Sequence, residues 1–328
     1  MSEYDHERFD RPGRGSRPRS KQRPSYDDAS IARVVTVDRG RYTLLLDDAD
    51  GEHTVVAMKA RALGRGSIVV GDDVRVVGDV SGNEGSLARI VGAEPRRSVL
   101  RRTADDDNPI ERVVVANAEQ LVIVVALANP EPRPRLIDRC LVAAYDAGMD
   151  PLLCLTKADL ASSNPRLTAY EPLGVPTVTT RHDGDLTPVR EALRDRTSVF
   201  VGHSGVGKST LVNALVPGAD RVTSQVNVVT GRGRHTSTSA YALRLPFGGW
   251  IVDTPGIRSF GLAHVDLDYV LSAFGDLAAA ATACPRGCTH TDDEPECGLD
   301  AAVAAGRIAA ARVDSFRRLL ASRERPAD

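Results

Sequence analysis

No apolar run in the 328 residues approaches the roughly 20 that a membrane-spanning helix requires. The N-terminal residues are polar and charged and lack the apolar centre of a secretory signal, so the expectation is a cytoplasmic protein without a membrane partner. Positive charge is not in excess: 42 Lys and Arg against 44 Asp and Glu leave a formal net charge of −2. That excludes a surface coated with basic charge and confines RNA contact to local patches. Cysteine is scarce, with five residues in all. Cys140 and Cys154 stand alone in apolar segments and read as small buried hydrophobes. Cys284, Cys288 and Cys297 cluster with His290, which in a cytosolic chain points to a metal before a disulfide. There is no internal repeat, no coiled coil and no DNA-reading motif, so DNA is a poor partner and a monomer is expected. What is present is ordinary for globular proteins, with 42% apolar and 26% charged residues, and the length suits two or three domains.

The patterning changes along the chain. Residues 1–30 are rich in Arg, Pro, Ser and Gly and read as a disordered basic arm, serving either as a loose RNA contact or as a solvated tail. From 31 to 96, short Val-, Leu- and Ile-rich runs broken by Gly and Asp predict a small β-barrel. The strands expected are 31–37, 42–47, 53–58, 67–80 (interrupted near Gly71) and 86–91. An OB-like barrel fits the length and strand number, and periodicity leaves an SH3-like barrel open. Residues 97–111 read as a connector, and the arginines around it, from Arg96 to Arg102, are either phosphate contacts or a solvated run. From 112 to 265, strands at 121–126, 151–155, 177–180 and 198–201 alternate with helical patterns such as 135–148, which predicts a doubly wound α/β domain. Residues 266–328 are Ala-rich and helical outside the Cys/His cluster, with a last helix expected over 302–322.

Residues 202–209 read GHSGVGKS, a full G-x-x-x-x-G-K-[ST] phosphate loop, followed by Thr210. A strand precedes it and a helix follows, as that motif needs. Gly202, Gly205 and Gly207 let successive backbone N–H groups, with those of His203, Ser204 and Val206 between them, face one anion, and the following helix adds its positive end. Lys208 is expected at the β- and γ-phosphates and the Ser209 hydroxyl at Mg²⁺. About 50 residues on comes DTPG, Asp253–Gly256, the expected place for a second acid linked to Mg²⁺ (Asp253) and a backbone sensor of the γ-phosphate (Gly256).

A base-reading motif is missing downstream and present upstream. Thr156-Lys157-Ala158-Asp159 follows the strand 151–155. An ionised Asp159 accepts from both N1–H and the 2-amino group of guanine, which adenine cannot supply, and Lys157 packs along the base. Thr156 stands where Asn is commoner. Base motif, phosphate loop and DTPG thus occur in circularly permuted order, and DTPG runs straight into the C-terminal region.

On this permuted order, the GHSGVGKST loop, GRGRHTSTS at 231–239, DTPGIRSFGL at 253–262 and the Cys/His cluster, the chain resembles the ribosome small-subunit-dependent GTPase A family (RsgA, also called YjeQ) over about residues 31–325. The resemblance implies an N-terminal OB fold, a circularly permuted P-loop GTPase domain and a C-terminal zinc-binding domain. It also implies GTP hydrolysis stimulated by the small ribosomal subunit and its rRNA, and a role in late maturation of that subunit. Cys284, Cys288, His290 and Cys297 are spaced C-x3-C-x-H-x6-C where family members commonly show C-x4-C-x-H-x5-C. Their number and type suit one tetrahedral structural Zn²⁺.

Some GTPases position the attacking water with a Gln just after DxxG. Ile257 occupies that place here and cannot. His235 is the candidate for that catalytic role, beside Lys208, and Thr236, with Thr238 as the alternative, is the candidate switch hydroxyl for Mg²⁺. Turnover is expected to be slow alone and strongly stimulated by the partner that orders this segment. A P-loop ATPase, and an RNA-binding scaffold that uses GTP only as a ligand, are the competing readings.

Overall fold

The computed structural model describes residue 26 and residues 28–49, 51–64, 67–105, 108–219, 240–254, 262 and 265–322, and of 102–105, 108–111 and 267 the backbone alone. The expected basic arm, His235, Thr236 and Gly256 lie outside the described residues.

Five strands close the N-terminal barrel: β1 (Ser30–Asp38), β2 (Arg41–Asp48), β3 (Gly51–Lys59), β4 (Asp73–Gly78) and β5 (Ala88–Ala93). Strict alternation builds it. Val34 in β1, Leu44 and Leu46 in β2, Val55 in β3, Val76 in β4 and Ile90 in β5 point inward and are buried. The strands pair in the order β1-β2-β3-β5-β4 and β4 returns to β1, with β3–β5 the one parallel pair of this barrel. This order decides for the OB-like barrel.

One expectation holds in part here and another changes. The run 67–80 is interrupted at Gly71 as expected, where the chain turns left-handed (φ +89°), but only its second part, Asp73–Gly78, is a strand, and buried Asp72 ties the bend. Its carboxylate accepts from the Val69 N–H at 2.8 Å and from the Arg96 guanidinium at 2.7 and 2.8 Å. Arg96 is therefore spent inside the protein and does not serve as a phosphate contact. The stretch read as a connector is a two-stranded antiparallel sheet, β6 (Val99–Asp105) with β7 (Asn108–Ala116), whose charged residues mask the alternation that buries Leu100 and Val115.

The second layer system is an α/β sandwich. Strands β8 (Gln120–Ala126), β9 (Asp150–Thr156), β10 (Thr177–Thr179), β11 (Thr197–Val201) and β13 (Trp250–Asp253) run parallel in the order β10-β9-β8-β11-β13, and β12 (Tyr241–Arg244) adds an antiparallel edge. Thr36 of β1 pairs with Tyr241, which joins the barrel to that edge. Every residue of β8 is buried, as a strand covered on both faces requires. Val122 and Val124 face α2 (Thr187–Leu193) and α3 (Lys208–Leu215), while Leu121 and Ile123 face α1 (Pro134–Asp146) and a 3-10 helix, Pro165–Leu173. Cys140 and Cys154 are buried in this domain, and burial pushes both thiols up to about 12.

Four C-terminal helices follow: α4 (Leu267–Ser272), α5 (Gly275–Ala281), α6 (Gly298–Ala304) and α7 (Ala310–Ser322). The single helix expected over 302–322 is broken at Gly306. There the chain turns left-handed (φ +67°), and Arg307 N–H bonds to Ala302 O at 3.0 Å while Gly306 N–H bonds to Val303 O at 2.9 Å. These paired bonds are a Schellman stop, which a residue with a Cβ resists. Phe274 stacks edge-on against Tyr145 of α1 and Phe316 of α7, so these helices share one core with the face of the sheet that carries α1.

Candidate functional site

The phosphate loop leaves the buried end of β11 and enters α3. Gly207 takes φ +91° at the turn into the helix, a conformation that glycine adopts without strain. A pocket of about 520 Å³ lies over this loop, lined by Gly202, His203, Ser204, Lys208, Ser209 and Thr254 among others. At its edge Lys208 pairs with the Asp253 carboxylate, whose other oxygen accepts from the Tyr241 hydroxyl at 2.8 Å. Asp253 is 4% exposed, and two donors hold its charge there.

A second pocket, about 410 Å³, lies between the ends of β9 and β10. Asp159, Leu160, Thr180, Arg181 and His182 line it, and Asp159 Oδ1 accepts from the His182 N–H at 3.4 Å. Lys157, Gly207 and Thr210 line both pockets, so the two form one continuous cleft. Thr156 fixes their spacing. Its buried hydroxyl lies 2.5 Å from Val206 O of the phosphate loop and 3.3 Å from Val125 O. The brace between base loop and phosphate loop is thus present with Thr in place of Asn. Thr156→Val keeps the shape and deletes this bond. It is expected to cost about 1–2 kcal/mol of stability and to weaken nucleotide binding, read by thermal denaturation and by titration with fluorescent GDP. Unchanged affinity would refute the brace.

The Cys/His cluster sits between α5 and α6. Cys284, Cys288 and Cys297 Sγ lie 3.6, 3.4 and 3.7 Å from His290 Nδ1, and all four donor atoms lie within 4.8 Å of one another. A tetrahedral zinc with ordinary Zn–S and Zn–N bonds places S and N about 3.5 Å apart, so the donors fit a metal ion. Arg317 of α7 ties the cluster to the domain by donating to His290 O at 2.9 Å and to Asp300 at 2.8 Å.

Residues 93–263 match the family model described as RsgA GTPase. A relative named small ribosomal subunit biogenesis GTPase RsgA, from Pseudomonas aeruginosa, is 42% identical over 84% of this chain and 81% of its own. The chain belongs to the RsgA GTPase family. Among solved structures, YjeQ from Thermotoga maritima is 26% identical and superposes with a TM-score of 0.63, covering 90% of this chain and 98% of its own. YloQ, described as a circularly permuted GTPase, shares the fold at 22% identity and a TM-score of 0.64, covering 94% of this chain and 100% of its own.

In this RsgA-family GTPase the 156–159 segment and the downstream phosphate loop lie side by side, since β9 and β11 flank β8. The structure brings Thr156, Lys157, Asp159, residues 202–205 and residues 207–210 into this one cleft, with Asp253 behind it on Lys208, and it buries Val206 beneath the loop. It places Cys284, Cys288, His290 and Cys297 together in a separate cluster. Tyr241 was missed from sequence, because its partner Asp253 stands opposite it in an antiparallel pair that no local pattern announces.

Proposed function

We propose that this chain hydrolyses GTP as a switch in the biogenesis of the small ribosomal subunit, with that subunit and its rRNA as partner. The observation that supports it is the continuous cleft, with an acceptor-only Asp159 at one end and the phosphate loop at the other. Asp159 takes the N1–H and 2-amino donors of guanine, and the Lys157 stem lies along the base. Backbone N–H groups of residues 202–207 and the start of α3 cradle the phosphates, with Thr210 between base and phosphate ends. Lys208 exchanges Asp253 for the β- and γ-phosphate oxygens, which releases Asp253 Oδ1. Ser209, Asp253 and Thr236 would hold Mg²⁺, which when bound neutralises charge developing on the phosphates. His235 orients the attacking water and Gly256 senses the γ-phosphate. Cys284, Cys288, His290 and Cys297 hold one structural Zn²⁺. Work on ribosomal subunits is done in the cytoplasm, and our reading of the chain is a monomer there with no DNA or membrane partner.

Phosphate release from GTP and from ATP, with and without purified small subunits, tests this reading. GTP turnover should rise at least tenfold with subunits, ATP should be spared, and Lys208→Ala should lower the rate by about 10²–10³-fold, the usual cost of a group that stabilises transition-state charge. Equal turnover of ATP would overturn the base assignment, and indifference to subunits would overturn the partner.

A further inference from the structure

No motif marks residues 127–131, the loop leaving β8, yet it reaches the cleft through one lysine. Lys157, which lines both pockets, donates its ammonium to the backbone carbonyl of Asn129 in that loop. The loop also rests on the phosphate loop, since a methyl group added at Gly205 would meet Pro130 at 3.8 Å. A carbonyl can hold a lysine in place only if the loop that presents it is itself held. The Asn164 side chain does that, beside an Arg166 guanidinium 3.8 Å from Glu131 Oε2. The Asn164 amide donates to Leu127 O at 2.9 Å and to Glu131 Oε2 at 3.3 Å, so it grips the loop on both sides of Asn129. Its carbonyl oxygen accepts from Arg166 N–H at 3.0 Å and caps the 3-10 helix. Leu127 N–H in turn bonds to Thr156 O at 2.9 Å, which closes the loop onto the base motif.

We infer that Asn164 is a positioning residue for guanine-nucleotide binding, acting through the 127–131 loop on Lys157. The inference rests on the proposed nucleotide reading of the cleft. Both of its amide hydrogens are used on the loop, and its oxygen accepts from the helix. A Lys157 without its carbonyl rotates freely on a four-carbon stem, and ordering it on the base then costs binding energy. Because base and ribose contacts are made equally before and during phosphate cleavage, loss of the clip should weaken binding and leave the chemical step alone.

Asn164→Asp separates the two roles, since Asp keeps the capping oxygen and cannot donate to Leu127 O or Glu131. The affinity of the full chain for fluorescent GDP is measured for the wild type, Asn164→Asp, Lys157→Ala and the double variant, together with KM and kcat for GTP. The expected result is about a tenfold weaker Kd and a raised KM for Asn164→Asp with kcat unchanged, a change of about 1.4 kcal/mol. The double variant should bind no more weakly than Lys157→Ala alone, because the clip works through that lysine. Unchanged affinity in Asn164→Asp, or losses that add in full in the double variant, would overturn the inference while leaving the nucleotide reading intact. Failure of the wild type to bind GDP would overturn both. Should Asn164→Asp fail to fold, Asn164→Ser, which also keeps a capping oxygen and drops the amide donors, gives the same reading.

Discussion

Asp159→Asn is expected to weaken GTP and GDP on the order of 10²–10³-fold and to create affinity for the xanthine nucleotides. The carboxylate offers only acceptors to the two guanine donors. An amide in its place turns a donor toward the 2-amino group, and two donors face each other across a desolvated edge. Xanthine carries a carbonyl at that position, which the new amide N–H satisfies while the amide oxygen still takes N1–H. Asp159 is exposed beside the pocket it lines, and the His182 N–H that its carboxylate accepts meets an acceptor oxygen in either residue. Displacement of fluorescent GDP by GDP and by XDP measures both halves of the result. Equal weakening of the two competitors would mean that Asp159 shapes the pocket without reading the base.

Removing the zinc proposed for the Cys/His cluster should have the largest effect on folding. Chelation, or Cys297→Ser, is expected to melt the cluster between α5 and α6, since a structural zinc of this ligand type contributes about 10 kcal/mol of apparent folding energy. Cys297 is buried at the N-cap position of α6, so its loss removes a ligand where the cluster joins that helix. The damage should spread, because Arg317 takes its partners from His290 and Asp300 and stands on the same helix as Phe316, which packs in the shared core. A calorimetric scan with and without chelator should show the C-terminal helices unfolding at a lower temperature than the parallel sheet, with one equivalent of zinc released to a chromogenic chelator. A superposable scan would show that the cluster carries no fold-stabilising metal.

How much of this was legible beforehand follows from what kind of group does each job. The barrel and the parallel sheet announce themselves because burial acts on side chains, and β1 and β8 carry their periods in plain view. The phosphate loop is legible because glycine is the residue its backbone needs. The contacts that sequence left silent run through backbone carbonyls: Val206 O for Thr156, Asn129 O for Lys157, Leu127 O for Asn164. Every residue owns a carbonyl, so no residue type marks one that has been chosen. Strands β6 and β7 were hidden differently, by arginines and acids on a hairpin of which Leu100 and Val115 face the core. The break at Gly306 was readable in principle, and an Ala-rich run concealed it.

The grip of α7 on the rest of the protein bears on how the chain is made. Asp138 and Arg139, buried in α1, receive Arg318 at 3.3 Å and Ser322 O at 3.0 Å, residues 180 and 183 positions later. The 3-10 helix that Asn164 caps is held in the same way, through Ala169 O by Ser315 at 2.9 Å and through Pro172 O by Arg312 at 2.6 Å. During synthesis from the N-terminus these sites wait for the last helix, and a buried carboxylate without its guanidinium is costly while it waits. The surroundings of α1 and of the 3-10 helix that Asn164 caps are therefore complete only after Ser322 has left the ribosome. A nascent chain that already carries every nucleotide motif still lacks these partners.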